Sequence, residues 1–326
     1  MNTIGTQDLL LSIVHLAYNI CCKNLESFHL YADDTQIYFR LEPGQNNSLF
    51  VQSISEAVYT WMNNRRLKMN PGKTEIIIIG SNNNVQSFRS EFGQVIQFGD
   101  TVLPLSEKIR NLGFIFDQHL TMADQINKVK RKAIGGLINI SHISPIIDKK
   151  YRIQLVHSLV LSHIDFCNSL YYGLAQSDLH SLQMLLNSAA RLVENWPRFS
   201  VNPVTPICIK LHFLPIKARI EFKICLLVFK ALKYSKPSYL FDLLKPYVPI
   251  SNILLRSRGR LSEPLISNRV NSEKCFEYHA PRLFNSLPDD IKLLDSVESF
   301  KNKLKTYLFL KAYDVPRGAI RQSYRV

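Results

Sequence analysis

No uncharged apolar stretch of about eighteen residues occurs in the chain, so nothing in it reads as a membrane-spanning helix. The apolar run from Leu9 to Ile20 has neither the basic leader nor the small-residue cleavage pattern of a secretory signal. The protein is therefore expected inside the cell, cytoplasmic or nuclear, neither secreted nor membrane-anchored. Cysteine is scarce, with six in 326 residues. Apart from the adjacent Cys21 and Cys22, the thiols (Cys167, Cys208, Cys225 and Cys275) are scattered without metal-ligand spacing. They suit buried thiols of a reducing compartment. Internal repeats and low-complexity tracts are also missing, which argues against solenoids and disordered linkers. Acidic residues are outnumbered, 26 against 40 Lys and Arg, for a formal charge of +14 and a pI near 9.5. Such an excess attracts polyanions such as nucleic acid, and an anionic membrane surface too, unless it is simply a basic surface without a binding role.

What is present is a folded composition, 46% hydrophobic and 10% aromatic, in a chain long enough for two cores. Leu9, Ile13, Leu16 and Ile20 predict a helix over about Leu9 to Cys22. A β-hairpin is expected next, with Phe28, Leu30 and Ala32 alternating before Asp33-Asp34 and Thr35 to Phe39 returning, closed by Pro43-Gly44. Phe50, Ile54, Val58 and Trp61 predict an amphipathic helix from Ser48 to Met62. Ile76 to Ile79 reads as a strand buried on both faces, Ser81 to Ser90 as a polar loop, Val95 to Leu103 as a hairpin turning at Gly99-Asp100, and Leu112 to Phe116 as a further strand.

Beyond Thr121 the periodicity is helical. The predicted stripes are Ile126, Val129, Ala133 and Leu137; Leu155, Leu159, His163 and Phe166; Leu179, Leu182, Leu186, Ala189 and Val193; and Ile220, Ile224, Leu227 and Ala231. Pro203, Pro206 and Pro215 separate the third from the fourth. A last helix is expected to carry Phe300, Leu304 and Leu308 on one face. The fold class is thus α+β, a mixed N-terminal region followed by helices.

Adjacent carboxylates at a turn between two strands, here Asp33 and Asp34, put several hard oxygens within reach of magnesium. An Asp-Asp pair alone is commonly no more than solvated turn chemistry. The longer string His29-Leu30-Tyr31-Ala32-Asp33-Asp34-Thr35-Gln36-Ile37-Tyr38 resembles the third polymerase motif of non-LTR (LINE-type) retrotransposon reverse transcriptases, in particular the jockey-like and chicken-repeat groups. Trp61 to Glu75, ending Asn70-Pro71-Gly72-Lys73-Thr74-Glu75, is similar to their fourth motif, and Arg110-Asn111-Leu112-Gly113-Phe114-Ile115-Phe116-Asp117 to their fifth, the primer-grip hairpin. Residues 162–173 and 280–288 resemble segments downstream of the polymerase, so the likeness spans about residues 25 to 312.

The resemblance implies an RNA-directed DNA polymerase, a nucleotidyltransferase using two Mg2+ ions on an RNA template and a DNA primer. It implies a partial palm, an antiparallel sheet with packed helices, over residues 1–120, a helical thumb over 121–200, and a helical C-terminal region over 201–326. Asp33 and Asp34 would hold metal, with Tyr31 and Ala32 beside the primer end. Lys73 would protonate the departing pyrophosphate, although a lysine there can also serve as a helix cap. Gly113 would let the primer backbone come close. Lys128, Lys130, Arg131 and Lys132 on the first thumb helix, and Lys149, Lys150 and Arg152 on the next, would contact phosphates or form a solvated face. His163 and Asp165, two apart on a helix, are read as core or surface groups.

The chain departs from that pattern before Tyr31. Only Asp8 and Glu26 precede it as acids, and no Pro-Gln-Gly sequence occurs. The family's first metal-binding aspartate and nucleotide-contacting motif therefore have no counterpart, and these residues alone are expected to be inactive. A nucleic-acid-binding module built on the basic thumb helices is the alternative.

Overall fold

The computed structural model describes residues 25–31, 34–41, 47–68, 70–196, 202–247, 260–264 and 275–314. The helix expected over Leu9 to Cys22 and the Pro43-Gly44 turn lie outside them. The backbone divides into two units, residues 1–121 and 122–326, and together they are mixed α and β.

In the first unit, β1 (Leu25–Tyr31) and β2 (Asp34–Phe39) pair antiparallel with Tyr31 opposite Asp34. Helix α1 (Asn47–Asn64) buries Val51, Ile54 and Trp61 along one face. Val51 forms a core with Ile96 and Leu105, and Phe39, Phe50, Ile76, Ile78 and Phe92 pack around it. Each buried aliphatic side chain contributes about 1.5–3 kcal/mol, so this cluster fixes where the sheet meets α1.

Strand β3 is shorter and wetter than the four isoleucines suggest. Only Ile76–Ile77 pair, and Ile79 is 49% exposed. β3 is the outer strand of a three-stranded sheet ordered β3-β5-β4, whereas burial on both faces belongs to strands of sheets covered by helices on each face. Its pairing with β5 is parallel, unlike the β1–β2, β4–β5 and β6–β7 pairs. The sheet is therefore mixed rather than antiparallel. The expected loop at 81–90 is helix α2 (Asn82–Phe92), whose Ser81 Oγ accepts from the Asn84 amide and whose Val85 and Phe88 are buried. Three consecutive asparagines hide that helix, although Ser81 is a preferred cap and Val85, Phe88 and Phe92 keep helical spacing.

β4 (Val95–Phe98) and β5 (Thr101–Ser106) turn at Gly99-Asp100, with Gly99 at φ 55°. β6 (Lys108–Asn111) and β7 (Phe114–Asp117) turn at Leu112-Gly113, both at positive φ, 45° and 88°. Gly113 accepts that conformation freely and Leu112 does not. Leu112→Asn, which restores the Asn-Gly pair favoured in such turns, should raise stability by about 0.5–1 kcal/mol, read from denaturant unfolding; a neutral or negative change would overturn the strain at Leu112.

The second unit is helical. α3 (Ala123–Ile143) buries Ile126, Val129 and Ala133 as expected, then Gly136 and Ile140 in place of Leu137. α4 (Lys149–Val156) runs through one π-helical turn, His157–Leu161, into α5 (Ser162–Asp165). The stripe expected at Leu155, Leu159, His163 and Phe166 is not the core face; Val156, Val160, Leu161 and Ile164 are buried instead. The offset is already present at Val156, ahead of the π turn, and because both faces are apolar the spacing alone does not choose between them. α6 (Gln176–Val193) buries Leu182, Leu186, Ala189 and Val193. Between Pro203 and Pro215 lies α7 (Thr205–Lys210), with proline in its first turn.

Helix α8 (Ile216–Tyr234) buries Ile216, Ile220, Ile224, Val228 and Phe229 together with Ala218, Cys225 and Ala231. Residues on so many faces mark an interior helix. Around it stand α9 (Ser238–Asp242), α10 (Phe276–Asn285), α11 (Asp289–Lys292) and α12 (Val297–Tyr313). Phe300, Leu304 and Leu308 are buried, and Phe300 stacks on Phe229 at 4.0 Å between ring centroids. The Asn285 amide accepts from the Leu261 N–H at 2.8 Å and donates to its carbonyl at 2.9 Å, a strand-like pairing made by one side chain. Among the described residues no helix is long and apolar enough to cross a membrane.

Candidate functional site

β1 and β2 bring Tyr31 and Asp34 face to face across the predicted turn. Tyr31 is 62% exposed and the Asp34 side chain is also in solvent. Ala32 and Asp33 lie outside the described residues. Two positions into β2, Gln36 and Asn111 exchange amides: Gln36 Nε2 donates to Asn111 Oδ1 at 2.6 Å and Asn111 Nδ2 returns to Gln36 Oε1 at 3.0 Å. The Tyr38 hydroxyl donates to the same Gln36 oxygen, and burial pushes the Tyr38 phenol up. Asn111 faces Phe114 across the Leu112-Gly113 turn, so this pair ties the carboxylate hairpin to the glycine hairpin.

Lys73 sits in a 3₁₀ turn, Pro71–Lys73, with its side chain in solvent. Asn70 builds that turn: its Oδ1 accepts from the Gly72 N–H at 3.1 Å, and its carbonyl accepts from the Thr74 hydroxyl at 3.0 Å. Lys73 thus lies past the end of α1 and does not cap it. Glu75 Oε2 accepts from the Arg110 amide at 3.3 Å. Segments 31–38, 70–75 and 110–117 are therefore all joined through β6. Sequence alone does not single out Gln36 and Asn111 as site residues; a polar pair at matching places in two hairpins is the only signal it offers.

The predicted phosphate contacts separate into two groups. Arg131 and Lys132 are exposed on α3, with Lys128 and Lys130 partly buried. Lys132 lies close enough to His163 that, after burial, its charge further lowers the imidazole pKa. On α4, Lys150 is exposed, but Lys149 Nζ meets Glu194 Oε1 at 2.5 Å. Burial alone would raise the Glu194 carboxyl, yet Lys149 and Lys210 outweigh it and hold it below the usual carboxylate range. Arg152 is 9% exposed. It donates to the carbonyls of Val193 at 3.0 Å, Ser144 at 3.1 Å and Ile147 at 2.6 Å. That commitment removes Arg152 from the phosphate-binding set. Asp165 forms an ion pair with Arg219 at 2.7 Å, a structural role in keeping with the sequence reading.

Among the described residues no three His, Cys, Asp or Glu side chains gather into a metal-binding group. At the turn of the first hairpin they supply one carboxylate, Asp34. A two-ion site needs more hard oxygens than that, and Asp33, the other predicted ligand, lies outside the described residues. No family model, curated protein or solved structure matches the chain.

Proposed function

We propose that the chain carries the palm hairpin, primer-grip hairpin and helical thumb of a non-LTR retrotransposon RNA-directed DNA polymerase, and that these 326 residues bind primer–template duplex without extending it. The observation that supports this most is the convergence at β6. Three segments chosen only for their motifs are joined there by the Gln36–Asn111 amide exchange and the Glu75–Arg110 bond. On this reading Asp33 and Asp34 are metal ligands, Tyr31 and Ala32 border the primer end, Gly113 admits the primer backbone, and Lys73 holds a proton for the leaving pyrophosphate. When bound, magnesium supplies charge neutralisation of the triphosphate. The family's two-ion site needs a further carboxylate, and the acids that precede Tyr31, Asp8 and Glu26, match no first metal-binding motif; hence the proposed inactivity of these residues.

The second reading, a nucleic-acid-binding module, rests on the Arg131 and Lys132 side chains displayed on α3. Phosphate neutralisation releases counterions, so each contact steepens the salt dependence of binding. Replacing Lys128, Arg131 and Lys132 with glutamine should lower the slope of log affinity against log salt by about 2–3 on an RNA–DNA duplex, measured by fluorescence anisotropy. An unchanged slope would remove α3 from the interface. In a magnesium primer-extension assay the purified chain should give no product, and product abolished by Asp34→Asn would sink the claim of inactivity.

A further inference from the structure

We propose that the cleft between α8, α9 and the first turn of α12 is a docking site for an acidic peptide segment of a partner protein, which inserts an apolar side chain and sets its carboxylates on Lys230 and Lys236. Leu227, Lys230 and Tyr234 line it from one face of α8, Lys236 and Leu240 from the connection and α9, and Val297 from α12. Their spacing along α8, three and then four residues, keeps them on one stripe. The cleft is open to solvent and holds about 520 Å³, a volume in the range of ligand sites.

The chemistry of the walls selects the occupant. The floor is aliphatic, the rim carries two ammonium groups, and no acid belongs to the lining. Of the acids near the cleft, Glu298 is engaged by Lys301 at 3.3 Å. Among the described residues neither Lys230 nor Lys236 forms an ion pair. Tyr234 and the neighbouring Tyr239 are each 55% exposed, an amphipathic rim of the kind enriched where proteins meet. Lys233 donates to the Asp295 carbonyl, fastening the segment ahead of α12 to α8 and fixing the width of the cleft. A nucleic-acid strand would satisfy the lysines but would lay its bases against aliphatic walls, Tyr234 being the one aromatic side chain of the lining beside the rim tyrosine Tyr239. A peptide with carboxylates flanking a leucine or phenylalanine satisfies both the charge and the apolar floor. This proposal stands independently of the polymerase reading.

The test is fluorescence anisotropy of the full chain with a fluorescein-labelled peptide, Asp-Glu-Leu-Phe-Glu-Asp. Saturable binding is expected, weakened at least about tenfold by Lys230→Glu with Lys236→Glu and, separately, by Val297→Trp, which fills the cavity. Circular dichroism of both variants should match the parent, and the exposed lysine pair keeps the test valid if Val297→Trp perturbs the fold. A peptide with serine replacing leucine and phenylalanine should not bind. Absence of saturable binding, or binding indifferent to the lysine variant, would overturn the proposal. So would a single-stranded RNA hexamer displacing the peptide more effectively than the unlabelled peptide does, an outcome that assigns the cleft to nucleic acid.

Discussion

Gly136→Ala should destabilise the second unit by about 2 kcal/mol, while Gly135→Ala, one residue earlier, should stabilise it by about 1 kcal/mol. Both glycines lie inside α3, where alanine is intrinsically the better helix former. The difference is what a methyl group meets. At Gly135 nothing stands within 4 Å of the Cβ position, whereas at Gly136 the Leu159 carbonyl oxygen is in collision and the Leu159 Cβ lies at 3.3 Å. That oxygen belongs to the π turn, His157–Leu161, and backbone cannot swing aside as a flexible side chain can. Relief requires α3 to move off the segment that buries Val156, Val160 and Leu161, loosening the core that both share. For a unit of this size the Gly136 change corresponds to a melting-temperature drop of about 4–8 °C. Equal melting temperatures for the two variants would disprove the close approach.

The same helix shows how far sequence reaches. Ile126, Val129 and Ala133 announce its buried face, because helical spacing and apolarity report the same physical fact. The continuation through Gly136 is silent, since glycine carries no apolar side chain and its burial is set by a partner distant in sequence. The stripe over Leu155 to Phe166 fails for a related reason: both that face and the neighbouring one are apolar, and packing against distant helices, which no local period reports, decides in favour of Val156, Val160 and Ile164. In the first unit the turn at Gly99-Asp100 follows from local turn chemistry, while the turn at Leu112-Gly113, which interrupts the single strand expected from Leu112 to Phe116, and the parallel β3–β5 pairing do not. The motif residues were legible as strings, but their meeting at β6 rests on Gln36 and Asn111, 75 positions apart. No local pattern reports such a contact.

Arg152 is the sharpest case of a residue whose type suggests one role and whose surroundings give it another. As a phosphate contact it would be dispensable for folding, and its loss would lower duplex affinity and reduce the salt slope by about 1. Its guanidinium instead spans two helix ends. Ser144 and Ile147 follow the last residue of α3, and Val193 closes α6; carbonyls at such ends lack intrahelical donors and carry the negative pole of the helix dipole. A planar cation satisfies all three at once, and the neighbouring Lys149–Glu194 pair and the Ser144 Oγ to Asn195 Oδ1 bond at 2.6 Å draw the same two ends together. Arg152→Met removes the donors and leaves buried carbonyls unpaired, for an expected loss of about 3–5 kcal/mol. Arg152→Lys keeps the charge but presents a point donor in place of the fork, so it should recover less than half of that loss. Thermal unfolding of both variants, set beside their duplex affinity at a temperature where each is folded, separates the roles. Melting near the parent value with weakened duplex binding would return Arg152 to the phosphate-binding set; the hydrogen bonds predict early melting with affinity retained.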